Sequence, residues 1–95
     1  MTEIADTLIE RGKRYGKFIN HAGVSQQLQN DIQLGFINNE NFQFEDLDAD
    51  MQEALFMIAH KLGRIINGDP WYADSWVDIA GYAKLVADRL EGLER

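Results

Sequence analysis

The sequence has no cysteine and only one proline. Without cysteine it can form no disulfides, no thiolate zinc site and no cysteine nucleophile, which fits a reducing compartment. Long apolar runs are also missing, and no segment approaches the roughly 20 apolar residues that a transmembrane helix needs. The first residues, MTEIADTLIER, are acidic where a secretory signal would be basic and then apolar. We therefore expect a cytoplasmic protein that makes no membrane contact.

Basic residues are scarce, with nine Lys and Arg against 16 Asp and Glu, so the formal net charge is −7. Proteins that grip nucleic acid do so largely by neutralising phosphates with Lys and Arg. Direct binding of nucleic acid is therefore not expected. The acidic balance leaves open metal binding, basic protein partners and mimicry of DNA by a negative surface.

Familiar catalytic motifs are absent as well. The sequence shows no glycine-rich phosphate loop, no GxSxG elbow and no Ser-His-Asp order. His21 and His60 lack an HExxH context, so a zinc site is not expected. His21 beside Asn20 is either a metal ligand or base, or a packing residue. Any functional prediction must come from particular side chains on the fold.

Apolar residues recur at helical spacing throughout the chain, and alternating strand patterns are almost absent. The 95 residues suffice for one domain, residues 1–95, with a modest core. We predict an all-α, compact four-helix bundle with a kink near Gly16 and a loop at 36–47 anchored by phenylalanines. The predicted helices run from about Glu3 to Arg14, Phe18 to Leu34, Ala49 to Ile66, and Asp74 or Ser75 to about Gly92.

Capping residues set the expected ends of these helices. Thr2 and Asp48 are placed as N-caps of the first and third helices, and Asp74 or Ser75 as the cap of the fourth. Gly35 is expected to end the second helix, and the pair Asn67-Gly68 to end the third.

The third and fourth helices each show an apolar arc when residues are placed at about 100° steps. On the third helix the predicted core face is Met51, Leu55, Ile58, Leu62, Ile65 and Ile66. On the fourth it is Trp76, Ile79, Ala80, Ala83, Val86, Ala87 and Leu90. The polar stripes predicted to lie off the core are Glu53, Met57, His60 and Arg64 with Lys61 at their flank, and Asp74 with Asp78.

These polar stripes allow two interpretations. Asp74 and Asp78 are like charges four residues apart, which a helix N-terminus tolerates because it favours acids. Alternatively they hold a divalent ion such as Mg²⁺, with the help of Glu53. Lys61 and Arg64 either belong to a solvated face with local ion pairs, or line a cleft and hold phosphates.

Aromatic residues near basic ones also have two interpretations. The segment Tyr15-Gly16-Lys17-Phe18 could stack a base and contact a phosphate, or it could be a helix break packed by two rings. Trp71 and Tyr72, which precede the acidic pair, could form a base-stacking platform or a lid over the core.

Three strings resemble a family of small uncharacterised proteins common in tailed phages and prophages: ERGKRYGKFINHA, EALFMIAHKLGRIINGDP and DSWVDIAGYAKL. The resemblance covers most of the chain from Glu10 to Leu85, and the third string is the most specific. It implies a phage or prophage origin, hence the cytoplasm of a host cell, and carries no established activity.

The third string is also similar to the second motif helix of the MazG-like all-α nucleoside triphosphate pyrophosphohydrolases, in which E-x-x-D opens a helix and binds Mg²⁺. The resemblance implies that Asp78 takes the place of the Asp, with Ser75 where the Glu is expected and Asp74 one step earlier. Of the first motif, EE-x-x-E, only Glu53 is present. The acidic set is therefore incomplete, which leaves turnover in question.

If the chain is catalytic, the resemblance implies Mg²⁺-assisted attack of water on a phosphoanhydride, with Glu53 and Asp78 as the catalytic carboxylates. Lys61 and Arg64 would neutralise the phosphates. The ligands of Mg²⁺ would be Glu53, Asp74 and Asp78. The ring that stacks on the base would be Tyr15, Trp71 or Tyr82.

Two rival functions remain open. The same pocket could sequester a nucleotide without turning it over, or the acidic chain could be an interaction factor that acts on a host protein. Self-association is expected under each hypothesis, because four short helices leave apolar faces partly uncovered.

Overall fold

The computed structural model describes residues 3–93, which form four α-helices and two short 3₁₀ turns and contain no strand. The prediction of an all-α four-helix bundle is confirmed. Thr2, the predicted first N-cap, lies outside the described residues. The helices are α1 Glu3–Tyr15, α2 Phe18–Gly35, α3 Ala49–Asn67 and α4 Ala73–Leu90.

Helix α3 is the centre of the molecule. It packs against α2 on one side and α4 on another, while α1 makes a smaller contact with both α2 and α3. The described chain is longer than it is wide, with extents of 52 × 30 × 23 Å. The residues of α3 are therefore covered from more than one direction.

The predicted core face of α3 is wrong in part for this reason. Ile66, placed in the core, is 62% exposed, whereas Lys61, placed on the off-core stripe, is buried. The buried residues of α3 are Ala54, Ala59, Lys61, Gly63 and Ile65. A second neighbouring helix covers the side that the sequence pattern assigned to solvent.

The predicted core face of α4 is rotated from the observed one. Trp76 and Leu90 are 54% and 59% exposed, while Ser75 and Asp88 are buried. The physical reason is that α4 meets α3 through charged groups, since Asp78 and Arg89 both pair with residues of α3 or its N-cap. These pairs turn the polar side of α4 toward its neighbour.

The segment between α2 and α3 is held by phenylalanines, as predicted. Phe44 is buried, its ring stacked on that of Phe56 at 5.1 Å between centroids and edge-on to Phe36 at 5.9 Å. Two 3₁₀ turns, Phe36–Asn38 and Phe44–Asp46, shape the segment. Phe42 stays 59% exposed and is not part of this anchor.

The predicted caps need correction in two places. Asp48 is the N-cap residue of α3, but its side chain forms no capping hydrogen bond and instead accepts one from Arg89 at 2.7 Å. Arg89 also binds Asp50 through two hydrogen bonds. The N-cap of α4 is Tyr72, so Asp74 lies inside the first turn instead of capping the helix.

None of the helices within residues 3–93 combines the length and the apolar composition that crossing a membrane requires.

Candidate functional site

A pocket of about 570 Å³ lies where α1, α2 and α3 meet, at the break between α1 and α2. We call it the cationic pocket because Arg11, Lys17 and Arg64 line it and none of its described lining residues carries a carboxylate. Its volume is in the range of small-molecule sites. The lining residues are Leu8, Arg11, Gly12, Tyr15, Gly16, Lys17, Phe18, His21, His60 and Arg64.

The three cations of the pocket form no ion pair with any carboxylate of residues 3–93. Other basic residues of the chain do form such pairs, namely Arg14, Lys61, Lys84 and Arg89. Among the basic residues of 3–93, Lys13 also has no ion pair, so three of the four unpaired cations line this pocket, although the chain as a whole is acidic.

Arg64 is ordered by an aromatic ring. Its guanidinium carbon lies 4.2 Å from the centroid of the Tyr15 ring, a distance typical of a cation–π contact. Tyr15 in turn packs edge-on against Tyr72 at 6.1 Å, and Arg14 stacks on the ring of Tyr72 at 4.5 Å. Through these contacts the ring of Tyr15 and the guanidinium of Arg64 lie side by side at the pocket.

The break between α1 and α2 is held by Asn67 at the end of α3. The Asn67 side-chain nitrogen donates to the carbonyl oxygens of Tyr15 and Lys17, each at 3.1 Å. Gly16 lies between them with φ = 77°, and a Cβ there would be 2.3 Å from the Asn67 carbonyl oxygen. The helix break at Gly16 is confirmed, but it is not packed by two rings, since Phe18 is 77% exposed. That this segment stacks a base and contacts a phosphate stays a prediction.

The start of α2 adds to the positive character of the pocket. Lys17 is its N-cap residue, its first turn contains no acid, and no side chain caps it. A helix N-terminus carries a partial positive charge from backbone N–H groups that lack helical partners. This partial charge and the side chains of the pocket have the same sign.

His21 and His60 close the inner wall of the pocket. His21 is 3% exposed, and its Nε2–H donates to the carbonyl oxygen of His60 at 2.9 Å. The two rings are 4.4 Å apart. Gly63 allows this approach of α2 to α3, since a Cβ on it would lie 2.8 Å from the His21 ring. His21 is thus a packed, hydrogen-bonded residue that also lines the pocket.

Burial, together with electrostatic interactions with His21, Arg64 and Lys61, lowers the pKa of His60 from 6.5 to about 4. The imidazole of His60 is therefore neutral at pH 7. It contributes a hydrogen-bonding group to the pocket without adding charge.

Lys61 and Asp78 have a different arrangement from the predicted one. Lys61 is buried and its Nζ lies 3.0 Å from Oδ2 of Asp78, so the predicted phosphate ligand and the predicted catalytic carboxylate pair with each other. Neither lines the cationic pocket. Their pairing joins α3 to α4.

The predicted magnesium ligands are not grouped. Within residues 3–93 no three His, Cys, Asp or Glu side chains are arranged to hold a metal ion, so Glu53, Asp74 and Asp78 do not form such a set. Glu53 is exposed, and Asp74 accepts a hydrogen bond from the Tyr72 hydroxyl at 2.9 Å. The donor set does not fit Mg²⁺ in this arrangement.

Of the aromatic residues predicted to stack on a base, Tyr15 lines the pocket and Trp71 does not. Trp71 is 88% exposed in the connection between α3 and α4. Tyr82 lies on α4, where it lines a separate groove. Arg64 and Tyr15 are thus the predicted binding residues that the structure brings together.

Arg11 and Asn67 are residues of the site that the sequence analysis did not predict. In the sequence the pair Asn67-Gly68 predicts only the end of the third helix, and this prediction is confirmed. Asn67 also donates hydrogen bonds to the carbonyl oxygens of Tyr15 and Lys17, which lie 50 or more residues away in the sequence. No local pattern carries that contact.

Comparison with known proteins gives one match. A family model described as a domain of unknown function, DUF6378, matches residues 2–90. The search of curated proteins found no match. The search of solved structures found none either. Since the family model covers nearly the whole chain, the protein belongs to the DUF6378 family.

Proposed function

We propose that this protein binds a nucleotide, or a related ligand with phosphates and a ring, in the cationic pocket and does not hydrolyse it. The observation that carries the proposal is the group Arg11, Lys17 and Arg64, three cations without a carboxylate partner in residues 3–93. The three positive charges repel one another, and a bound anion would relieve this repulsion. Phosphate groups are the anions that Arg and Lys hold best.

The ring of the ligand is argued from the walls of the pocket. Tyr15 and Phe18 supply aromatic faces, and Leu8 supplies apolar surface. Phe18 and Leu8 are 77% and 61% exposed, so both gain from being covered by a flat ligand. An inorganic anion alone would leave these groups uncovered. A base attached to phosphates would pack on the aromatic and apolar residues while its phosphates bind the cations.

We propose binding without turnover because the carboxylates that the MazG resemblance implies for catalysis are engaged elsewhere. Asp78 pairs with Lys61, and Glu53 and Asp74 do not join it in a metal-holding group. The proposed binding needs no Mg²⁺, since the cations of the pocket neutralise the phosphates. Metal-dependent hydrolysis, a phage origin and a host protein partner stay predictions from the sequence.

The test is a thermal-shift panel with nucleoside triphosphates, deoxynucleoside triphosphates, cyclic dinucleotides and inorganic pyrophosphate, each with and without Mg²⁺. A ligand that binds only the folded state raises the melting temperature. We expect a nucleotide to raise it in the absence of Mg²⁺, and pyrophosphate to raise it less because it leaves the aromatic walls empty.

Two lysines provide a matched pair of variants. Lys17 lines the pocket, whereas Lys13 is an exposed lysine of α1 that does not. Lys17→Met should weaken nucleotide binding about tenfold, the size of one charge-assisted hydrogen bond, and Arg64→Met by more because it also removes the contact with Tyr15. Lys13→Met should leave the dissociation constant unchanged. Titration calorimetry measures all three.

Two results would overturn the proposal. One is that no nucleotide shifts the melting temperature under any condition. The other is that binding is present but is unaffected by Lys17→Met and Arg64→Met. Nucleotide binding that appears only with Mg²⁺ and is lost in Asp78→Asn would instead support the hydrolase hypothesis, and a pyrophosphate-release assay would then detect turnover.

A further inference from the structure

The chain exposes more surface than a compact monomer of its mass. Its accessible area is 6899 Å², whereas a 10.9 kDa monomer is expected to expose about 5,600 Å². Its radius of gyration, 15.6 Å, also exceeds the roughly 12 Å expected for 95 residues. The excess area is on the order of 1,300 Å², more than the roughly 800 Å² that each partner of a standard interface buries.

Exposed apolar residues lie along one side of α4. Val77, Gly81 and Leu85 are spaced four residues apart, so they share one face, and the two apolar side chains are 63% and 50% exposed. They line a groove of about 650 Å³ together with Asp78, Tyr82 and Lys84. A Cβ on Gly81 would meet no atom within 4 Å, so the backbone of α4 is open to close approach there.

We propose that a second copy of this chain covers the groove, with its α4 antiparallel to the first and the two-fold axis passing at Gly81. An isologous pair places residues at equal distances on either side of the axis opposite one another. Val77 then faces Leu85 of the partner subunit. Asp78, which pairs with Lys61 in its own chain and keeps 44% of its side chain exposed, faces Lys84 of the partner subunit. Lys84 pairs with Asp88 in its own chain and keeps 71% of its side chain exposed. The two-fold axis repeats each contact, so the interface contains two apolar contacts between residues 77 and 85 and two acid–base contacts between residues 78 and 84.

Charge favours the antiparallel arrangement of the two helices over the parallel one. The parallel arrangement would set Asp78 against Asp78 of the partner subunit and Lys84 against Lys84 of the partner subunit, and like charges across an interface are unfavourable. The glycine on the axis suits the antiparallel arrangement because the two backbones cross where no side chain separates them.

The first test changes the residue on the axis. Gly81→Glu places two negative side chains against each other at the crossing, while within one chain the new side chain enters open space. Gly23→Glu is the matched control, since Gly23 is an exposed glycine in the middle of α2 that also faces open space. Light scattering after size exclusion should give twice the chain mass for the natural protein and for Gly23→Glu, and the mass of one chain for Gly81→Glu.

The second test examines the register. Val77→Lys and Leu85→Glu should each reduce the dimer to a monomer. The double variant should restore the dimer, because the Val77→Lys side chain of one copy then faces the Leu85→Glu side chain of the other. Circular dichroism checks that each variant is helical. Restoration supports the antiparallel pairing at Gly81, and a double variant that stays monomeric overturns it.

The proposal as a whole is overturned if the natural protein is a monomer at all concentrations, or if Gly81→Glu leaves the dimer intact. Nucleotide binding does not enter these measurements, because the cationic pocket lies on α1, α2 and α3 of one chain. Gly81→Glu should therefore keep the nucleotide dissociation constant of the natural protein, so each proposal can fail by itself.

Discussion

Gly16 is the residue on which the shape of the cationic pocket depends most directly. Its positive φ and its closeness to Asn67 both exclude a side chain. We expect Gly16→Ala to lower the free energy of unfolding by about 2 kcal/mol, from backbone strain and the displacement of Asn67. Gly23→Ala, in an open helical position, should raise it by about 1 kcal/mol. Urea unfolding of both variants checks this prediction, and a Gly16→Ala protein as stable as the natural one would contradict it.

His60 should make stability depend on pH. Its pKa in the folded protein is about 4, below the 6.5 of an unfolded histidine. As pH falls from about 6.5 toward 4, the unfolded state binds a proton that the folded state does not, so stability decreases over this window and is unaffected by His60 above it. We expect the melting temperature to fall between pH 7 and pH 5, and to fall less in His60→Gln. An equal fall in both proteins would show that His60 is not responsible.

At the scale of the helices, the ion pair between Lys61 and Asp78 joins a buried ammonium of α3 to α4. Asp78→Asn removes the carboxylate that faces a buried ammonium, although Asp78 itself is 44% exposed. We expect a loss of about 1 kcal/mol in the free energy of unfolding. We also expect unchanged nucleotide affinity, since Asp78 does not line the cationic pocket. Urea unfolding and calorimetry separate the two effects.

Asp74→Asn is the control for this helix-scale prediction. Asp74 is exposed and its partner is the Tyr72 hydroxyl, so its loss should cost less than the loss of Asp78. A larger effect of Asp74→Asn, or a loss of nucleotide binding in Asp78→Asn, would contradict the structural assignment of these acids and would favour the predicted metal site.

Helix positions were predictable, and helix surroundings were not. Periodicity and stop signals such as Gly35 and Asn67-Gly68 placed the elements within a few residues. The same periodicity assigned Lys61 to solvent, because a helical pattern shows which positions share a face but not how many neighbours cover the helix. A long aliphatic stem allows a lysine to be buried in this way when its amine meets a carboxylate.

At the scale of the whole molecule, the distribution of charge differs from what the net charge suggests. The sequence is acidic by seven charges, yet the pocket at the meeting of three helices is lined by cations and no described acid. The difference arises because four other basic residues of 3–93, Arg14, Lys61, Lys84 and Arg89, pair with carboxylates, as Arg89 does with Asp48 and Asp50. A composition does not reveal which charges are left uncompensated.

By itself, the sequence determined the helical class, the approximate helix ends and the break at Gly16, because these depend on residues close together in the chain. It also placed Tyr15 and Arg64 among the candidate binding residues. The tertiary structure decided that Arg64 stacks on Tyr15, that Asn67 holds the break, and that Lys61 binds Asp78 instead of a ligand. These contacts join residues distant in sequence, so they exist only once the helices have packed.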